Sequence, residues 1–150
     1  MKALTICQPY AHLIIQKRKT CENRKWPTNY RGPIYIHAGK SKQWMDVENG
    51  VDLESGNRVD SMSFGAVVGI AELVACISIE STLMKEWIAA MTEEQRRHVN
   101  GPYCWILDKV APIGPWPWKG ALGLFEIDEE ELDRVANRIL GIKEPAGGAS

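Results

Sequence analysis

The residues able to do chemistry are concentrated between positions 8 and 38. Gln8-Pro9-Tyr10 opens the stretch, Lys19-x-x-Glu22-x-Arg24-x-Trp26 follows, and Tyr30-Arg31-Gly32 and Ile36-His37-Ala38 close it. Side chains alternate between the two faces of an extended segment, so Thr20, Glu22 and Arg24 share one face of a strand. A carboxylate beside a guanidinium on one wall can read a base. Glu22 would accept from an exocyclic amine, Arg24 would bind phosphate or hold Glu22 charged, and Lys19 would add a cation at the rim. The same spacing also suits an ion pair from Glu22 to Arg24 or Arg31 that only fixes the fold. Gln8 can present its amide to a ligand or cap backbone groups at a helix entry. Tyr10 and Trp26 can stack on bases or pack in a core.

Three further residue types call for an explanation. His37 lies in a strand opposite an apolar face, where a hydrogen-bonded structural histidine is expected rather than a catalytic base. Glu72 is an ionisable residue in the most apolar stretch of the chain and needs a partner or a purpose, with Lys19 and Arg24 the expected partners. Trp116 and Trp118 flank a proline-rich turn and are hard to bury together, so one of them is expected to line a cleft.

Charge is unevenly distributed along the 150 residues. The net charge is −1, yet residues 1 to 42 carry nine basic residues against Glu22 alone, a balance of +8, and the remainder is −9. A solvated face explains such a run without any ligand. A face for phosphates explains it equally, and Lys17 to Lys19 followed by Arg24, Lys25 and Trp26 mix cations with an aromatic as single-stranded nucleic acid requires.

The elements that must position these residues can be read from the pattern. Ala3 to Cys7 reads as a strand, and Pro9 opens a short helix with Ala11, Ile14 and Ile15 on one face. Thr20 to Arg24 is a strand edge, and Ile34, Ile36 and Ala38 form one face of the next strand. Ser41 is placed to cap a helix through Val47, and residues 49 to 63 read as a mobile loop within one domain. Phe64 to Ile79 is expected to be the central strand, with Gly65 and Gly69 as bulge sites. Ser81 to Ala90 and Thr92 to Val99 read as helices, Thr92 and Gln95 forming a capping box. Tyr103 to Val110 is a strand, Ala111 to Lys119 a Pro/Trp segment, and Ala121 to Ile127 a last strand. Asp128 caps a final helix whose expected buried stripe is Leu132, Val135, Ala136, Ile139 and Leu140. Strands with short peripheral helices and no repeating βαβ alternation predict an α+β fold on a small mixed barrel.

Several classes are disfavoured. The four cysteines form no metal-ligand spacing and are expected as reduced thiols, no cofactor or metal signature is found, and glycine-rich phosphate loops and hydrolase motifs do not occur. Gln8, Pro9 and His12 interrupt any signal peptide. The most apolar window falls short of the ~18 residues that suggest a membrane span. A cytoplasmic protein with no membrane partner is the expectation.

Taken in order, Gln8-Pro9-Tyr10, Lys19-x-x-Glu22-x-Arg24 and Tyr30-Arg31-Gly32 resemble the ASCH domain, the activating signal cointegrator homology domain. The resemblance continues more weakly through Gly65 to Glu72 and the Pro117-Trp118-Lys119-Gly120 and Leu122-Gly123-Leu124 segment. It implies a PUA-like β-barrel with a cleft walled by the Lys-x-x-Glu-x-Arg segment, over residues 1–142. The loop at 49 to 63 and the tail lie outside the resemblance, and 143–150, with Pro145, Gly147 and Gly148 and nothing to bury, is expected to be a disordered tail. The resemblance further implies binding of RNA or a modified nucleobase, in RNA metabolism or translation-linked regulation. The expected binding residues are Gln8, Tyr10, Lys19, Glu22, Arg24, Trp26, Arg31 and Glu72, with RNA or a nucleoside as partner and no protein partner named.

The alternative is a hydrolase. Some members of the family are similar to amidohydrolases acting on N4-acylcytidine and others cleave single-stranded RNA. In the amidohydrolase branch a lysine, a threonine nucleophile and a glutamate act together, the threonine two positions before the motif arginine. That position is Glu22 here, and a carboxylate is a poor substitute for an activated hydroxyl. The residues left for catalysis would be Lys19, Glu22 and Glu72, with a carboxylate acting as general base on water.

Overall fold

The computed structural model describes residues 1–143. Twelve elements follow in order: β1 (Lys2–Ile6), α1 (Tyr10–Ile15), β2 (Cys21–Arg24), β3 (Gly32–Ala38), β4 (Val47–Glu48), β5 (Val51–Asp52), β6 (Ala66–Ser78), α2 (Thr82–Ala89), α3 (Glu93–Arg97), β7 (Tyr103–Pro117), β8 (Leu124–Glu126) and α4 (Glu129–Leu140). Six strands form one curled sheet in the order β2-β7-β6-β3-β1-β8. β1 and β3 are parallel, and the other neighbours in the sheet are antiparallel.

The curl comes from register shifts. β6 shifts against β7 at Val67/Gly69, Ile70/Glu72 and Leu73/Ala75, and β3 shifts against β6 at Ile36/His37. Each extra residue bends its strand and increases the local twist. At Gly69 a Cβ would lie 2.2 Å from Ile15 Cδ1 and 3.1 Å from the Ala111 carbonyl oxygen, so only glycine lets α1 lie this close to the sheet.

Three clusters make the core. Leu4, Ile6, Ile14, Ile34, Ile36 and Trp105 pack inside the curl. Cys21, Ile77, Met84, Met91, Cys104 and Ile106 are buried beneath α2. Ala3, Val67, Ile127 and Leu132 seal α4 against the sheet. The caps match their residue types: Ser81 accepts from Leu83 N, Thr92 and Gln95 make a reciprocal capping box, and Asp128 accepts from Glu130 N and Glu131 N.

The structure corrects several expectations. Ser41 caps no helix: the segment turns and enters β4, because Trp44 and Val47 are both exposed and a short helix with no buried face is marginal. Residues 49 to 63 are not a loop without regular structure: they hold the turn and second strand of the β4–β5 hairpin and a 3-10 turn at Val59–Ser61. Their anchor is the fully buried Asp52, whose carboxylate accepts from Asp46 N at 3.1 Å, Ser55 N at 2.9 Å and Ser55 Oγ at 2.5 Å.

The proline-rich segment does not end β7. The strand runs on through Pro117, and residues 113 to 115 bulge out between the Gly69–Pro112 and Val67–Trp116 pairs, where a missing N–H breaks no ladder bond. β8 is shorter than expected and leaves Leu122 exposed. The stripe of α4 is also shorter: Leu132 is buried, but Ile139 and Leu140 are 52% and 60% exposed, so its last turn lies off the sheet. Apart from Lys143, the tail expected over 143–150 lies outside the described residues. Among the described residues no helix is long and apolar enough to cross a membrane.

Candidate functional site

β2 is an edge strand of the sheet, and one side of its cleft is therefore uncovered by any further strand. The end of β1, the 19–26 segment, two side chains from around the β4–β5 hairpin and the turn after α3 enclose a cavity of about 540 Å³. That is within the ~300–1,000 Å³ range of ligand pockets.

Glu22 and Arg24 lie on the same wall, as strand alternation requires. Arg24 Nη2 donates to Glu22 Oε2 at 2.9 Å and to the Thr5 carbonyl oxygen at 2.8 Å, joining β2 to β1. Lys19 is buried, sits 3.7 Å from Glu22 Oε1 and donates to the Cys21 carbonyl oxygen. Its ammonium also lies 5.5 Å from the centroid of the Tyr10 ring, within cation–π range. Arg24 Nε is buried without a hydrogen-bond partner.

The other lining residues come from distant elements. The Tyr10 hydroxyl donates to Glu54 at 3.2 Å, and its pKa is pushed up to about 12, first by burial and then by the Glu54 charge. Tyr10 meets His98 edge to face, with centroids 6.5 Å apart. Burial lowers the His98 pKa, and the Lys19 charge lowers it further. Burial, then Glu22, raises the Cys7 thiol. Asn23 fixes the turn carrying these groups: Nδ2 donates to the His98 carbonyl oxygen, and Oδ1 accepts from Asn100 N and Gly101 N. Trp26 and Trp44 line the cleft and are 51% and 55% exposed.

Of the residues expected at a site, Tyr10, Lys19, Glu22, Arg24 and Trp26 come together here. Gln8 does not. Its amide donates to the Ser63 carbonyl oxygen at 2.8 Å and accepts from His12 N at 2.9 Å, so both ends cap backbone groups, and the residue borders a separate cavity of about 160 Å³. Arg31 points away into its own turn, donating to the carbonyl oxygens of Thr28 and Tyr30. Glu72 pairs with Lys109 at 3.4 Å instead of Lys19 or Arg24. Ala71 and Leu73 take the buried face of β6, and alternation turns Glu72 to the other, where water reaches it.

Neither Trp116 nor Trp118 lines this cleft, because both pack against the cluster under α4. His37 is held on both ring nitrogens, Nδ1 lying 3.0 Å from Thr5 Oγ1 and Nε2 lying 2.7 Å from the Trp118 carbonyl oxygen. Sequence reasoning missed Trp44, Glu54, Arg97, His98 and Asn100, which only the hairpin and the turn after α3 bring to the cleft. The hint that existed was an exposed-type tryptophan in a polar segment.

The ASCH domain matches this sequence over residues 4–129. The chain belongs to the ASCH domain family. Among solved structures it is similar to the crystal structure of ASCH from Zymomonas mobilis, at 18% identity and a TM-score of 0.53, covering 91% of this chain and 93% of that one. It is also similar to two crystal structures of single-residue variants of that protein. The tyrosine-to-phenylalanine variant is 16% identical with a TM-score of 0.51, covering 91% and 96%. The serine-to-alanine variant is 17% identical with a TM-score of 0.51, covering 91% and 94%. No curated protein matches the sequence. At these identities the likeness is one of fold, and the ASCH chain has the α+β, PUA-like curled sheet expected from its motifs.

Proposed function

We propose that this ASCH domain binds single-stranded RNA or a modified nucleobase in the Glu22–Arg24 cleft, acting in RNA metabolism or translation-linked regulation. The observation that carries the reading is the combination in one cavity of a carboxylate–guanidinium wall, further cations at Lys25 and Arg97, and two exposed tryptophans. Cations track a phosphate backbone and aromatic faces stack its bases. General RNA-binding use of ASCH and PUA-like folds points the same way.

Acyl transfer fits the cleft less well. Thr20 is not among the residues lining it, Thr5 Oγ1 is hydrogen-bonded to His37, and the Tyr10 phenol is held protonated by burial and by Glu54. An activated hydroxyl is what the amidohydrolase reading requires.

Tryptophan fluorescence titration with a short single-stranded RNA tests the proposal, with recovery of the RNA afterwards. Quenching that weakens as salt is raised is expected, with the RNA intact. Lys25→Ala should lower affinity and reduce the salt slope by about one, as loss of a single phosphate contact does. Absence of binding at low salt would overturn the proposal, and shortened RNA would replace it with a ribonuclease.

A further inference from the structure

Glu22 is a hydrogen-bond acceptor that the wall of the cleft leaves available. Several neighbouring donors are engaged within the protein: one Lys19 N–H with the Cys21 carbonyl oxygen, Arg24 Nη2 with the Thr5 carbonyl oxygen and Glu22 Oε2, and the Tyr10 hydroxyl with Glu54. Asn23 spends both ends of its amide on the 98–101 turn. Glu22 Oε1, by contrast, has only Lys19 at 3.7 Å, beyond hydrogen-bond reach. A carboxylate offers about four lone-pair sites, so most of this capacity is unused. The residue is 8% exposed, and that exposure is toward the cavity it lines. Arg24 Nε is likewise unpartnered, so both members of the pair carry hydrogen-bonding capacity that the protein itself does not use.

We infer that the cleft selects nucleobases bearing an exocyclic amino group, adenine, cytosine or guanine, over uracil, with the Glu22 carboxylate accepting from that amine. This rests on the nucleobase-binding reading above. The chemistry is one of charge and donor placement. An exocyclic amino group projects hydrogens beyond the ring, and in cytosine one of them lies on the C5 side, where it meets a carboxylate oxygen with no ring acceptor beside it. The ring N–H of uracil lies between two carbonyl oxygens, so bonding it to Glu22 drives at least one of those oxygens toward the anion. A site that leaves a nearly buried acceptor unpaired with the wrong ligand discriminates strongly against that ligand.

Oligo(C) and oligo(U) of equal length carry equal phosphate charge, so their difference isolates the base. The native protein is expected to bind oligo(C) about tenfold or more tightly than oligo(U), the scale of one well-made base contact. Oligomers of N4,N4-dimethylcytidine, which lack the amine hydrogens, should bind no better than oligo(U). Glu22→Gln should bring the oligo(C) to oligo(U) ratio close to one, with near-UV circular dichroism showing that the aromatic side chains of the fold keep their native packing. The dimethylated oligomer tests the same point on the native chain if that variant does not fold. Equal affinity of the native protein for oligo(C) and oligo(U), or unweakened binding of the dimethylated oligomer, overturns the inference and leaves the cleft-binding reading standing. Failure of every oligomer to bind overturns that reading itself.

Discussion

Arg24 serves two purposes through one nitrogen, closing β2 onto β1 at the Thr5 carbonyl and neutralising the Glu22 carboxylate. Arg24→Ala removes both and leaves Glu22 with Lys19 at 3.7 Å as its remaining cation. Breaking a fully buried pair costs ~3–5 kcal/mol, and with the Arg24 side chain 19% exposed a loss of about 2–3 kcal/mol is expected. Urea denaturation measures it, and a loss below about 0.5 kcal/mol would show that the pair contributes no more than a surface one. At this scale the motif is legible in the sequence, because the period-2 spacing of a strand by itself puts Glu22 and Arg24 on one face. Gln8 is legible only as two alternatives. An amide caps or binds with the same atoms, and Ser63, which decides the matter, lies 55 residues away.

The β4–β5 hairpin brings Trp44 and Glu54 to the cleft and is held by one buried carboxylate. Asp52→Ala leaves the Asp46 and Ser55 N–H groups without their acceptor. The expected cost is about 1–3 kcal/mol per stranded buried group, falling on this hairpin rather than on the main sheet. Hydrogen exchange should accelerate between residues 44 and 60 while the strands of the large sheet keep their protection, and RNA affinity should fall with it. Uniform acceleration across the whole chain would mean that the hairpin is part of the global folding unit. The hairpin was not legible because its anchor is a single polar residue in a polar stretch. Apolar periodicity, which revealed the other strands, carries no trace of an inward-pointing aspartate. The length of β7 was obscured for a related reason, since prolines argue against a strand unless the strand itself bulges, as β7 does at residues 113 to 115.

Over the whole molecule, the three histidines share one property. Burial lowers the pKa of His12, His37 and His98 from the ordinary 6.5. At pH 6.5 an ordinary histidine of the unfolded chain is already half protonated, while the folded histidines, with lowered values, hold fewer protons. From about pH 7.5 downward the unfolded chain takes up protons that the folded chain does not, so stability falls as pH drops toward and through the lowered values. The carboxylates with shifted values, Asp60 and Glu126, are exposed and titrate at lower pH. The midpoint temperature should therefore begin to fall between pH 7.5 and 6.5 and decline further toward pH 5. A midpoint that rises over that range would contradict histidines held neutral by burial. What the sequence determined by itself is the set of local patterns: strand and helix periodicity, the two helix caps at Thr92 and Asp128, and the Lys19-x-x-Glu22-x-Arg24 wall with its family. These depend on residues a few positions apart, whose geometry the backbone imposes. Only the tertiary structure decided that Glu72 faces Lys109, that Ile139 and Leu140 lie off the sheet, and that Trp44, Glu54 and His98 complete the cleft. Those outcomes depend on which distant segments the curl of the sheet brings within contact, and no spacing along the chain encodes that directly.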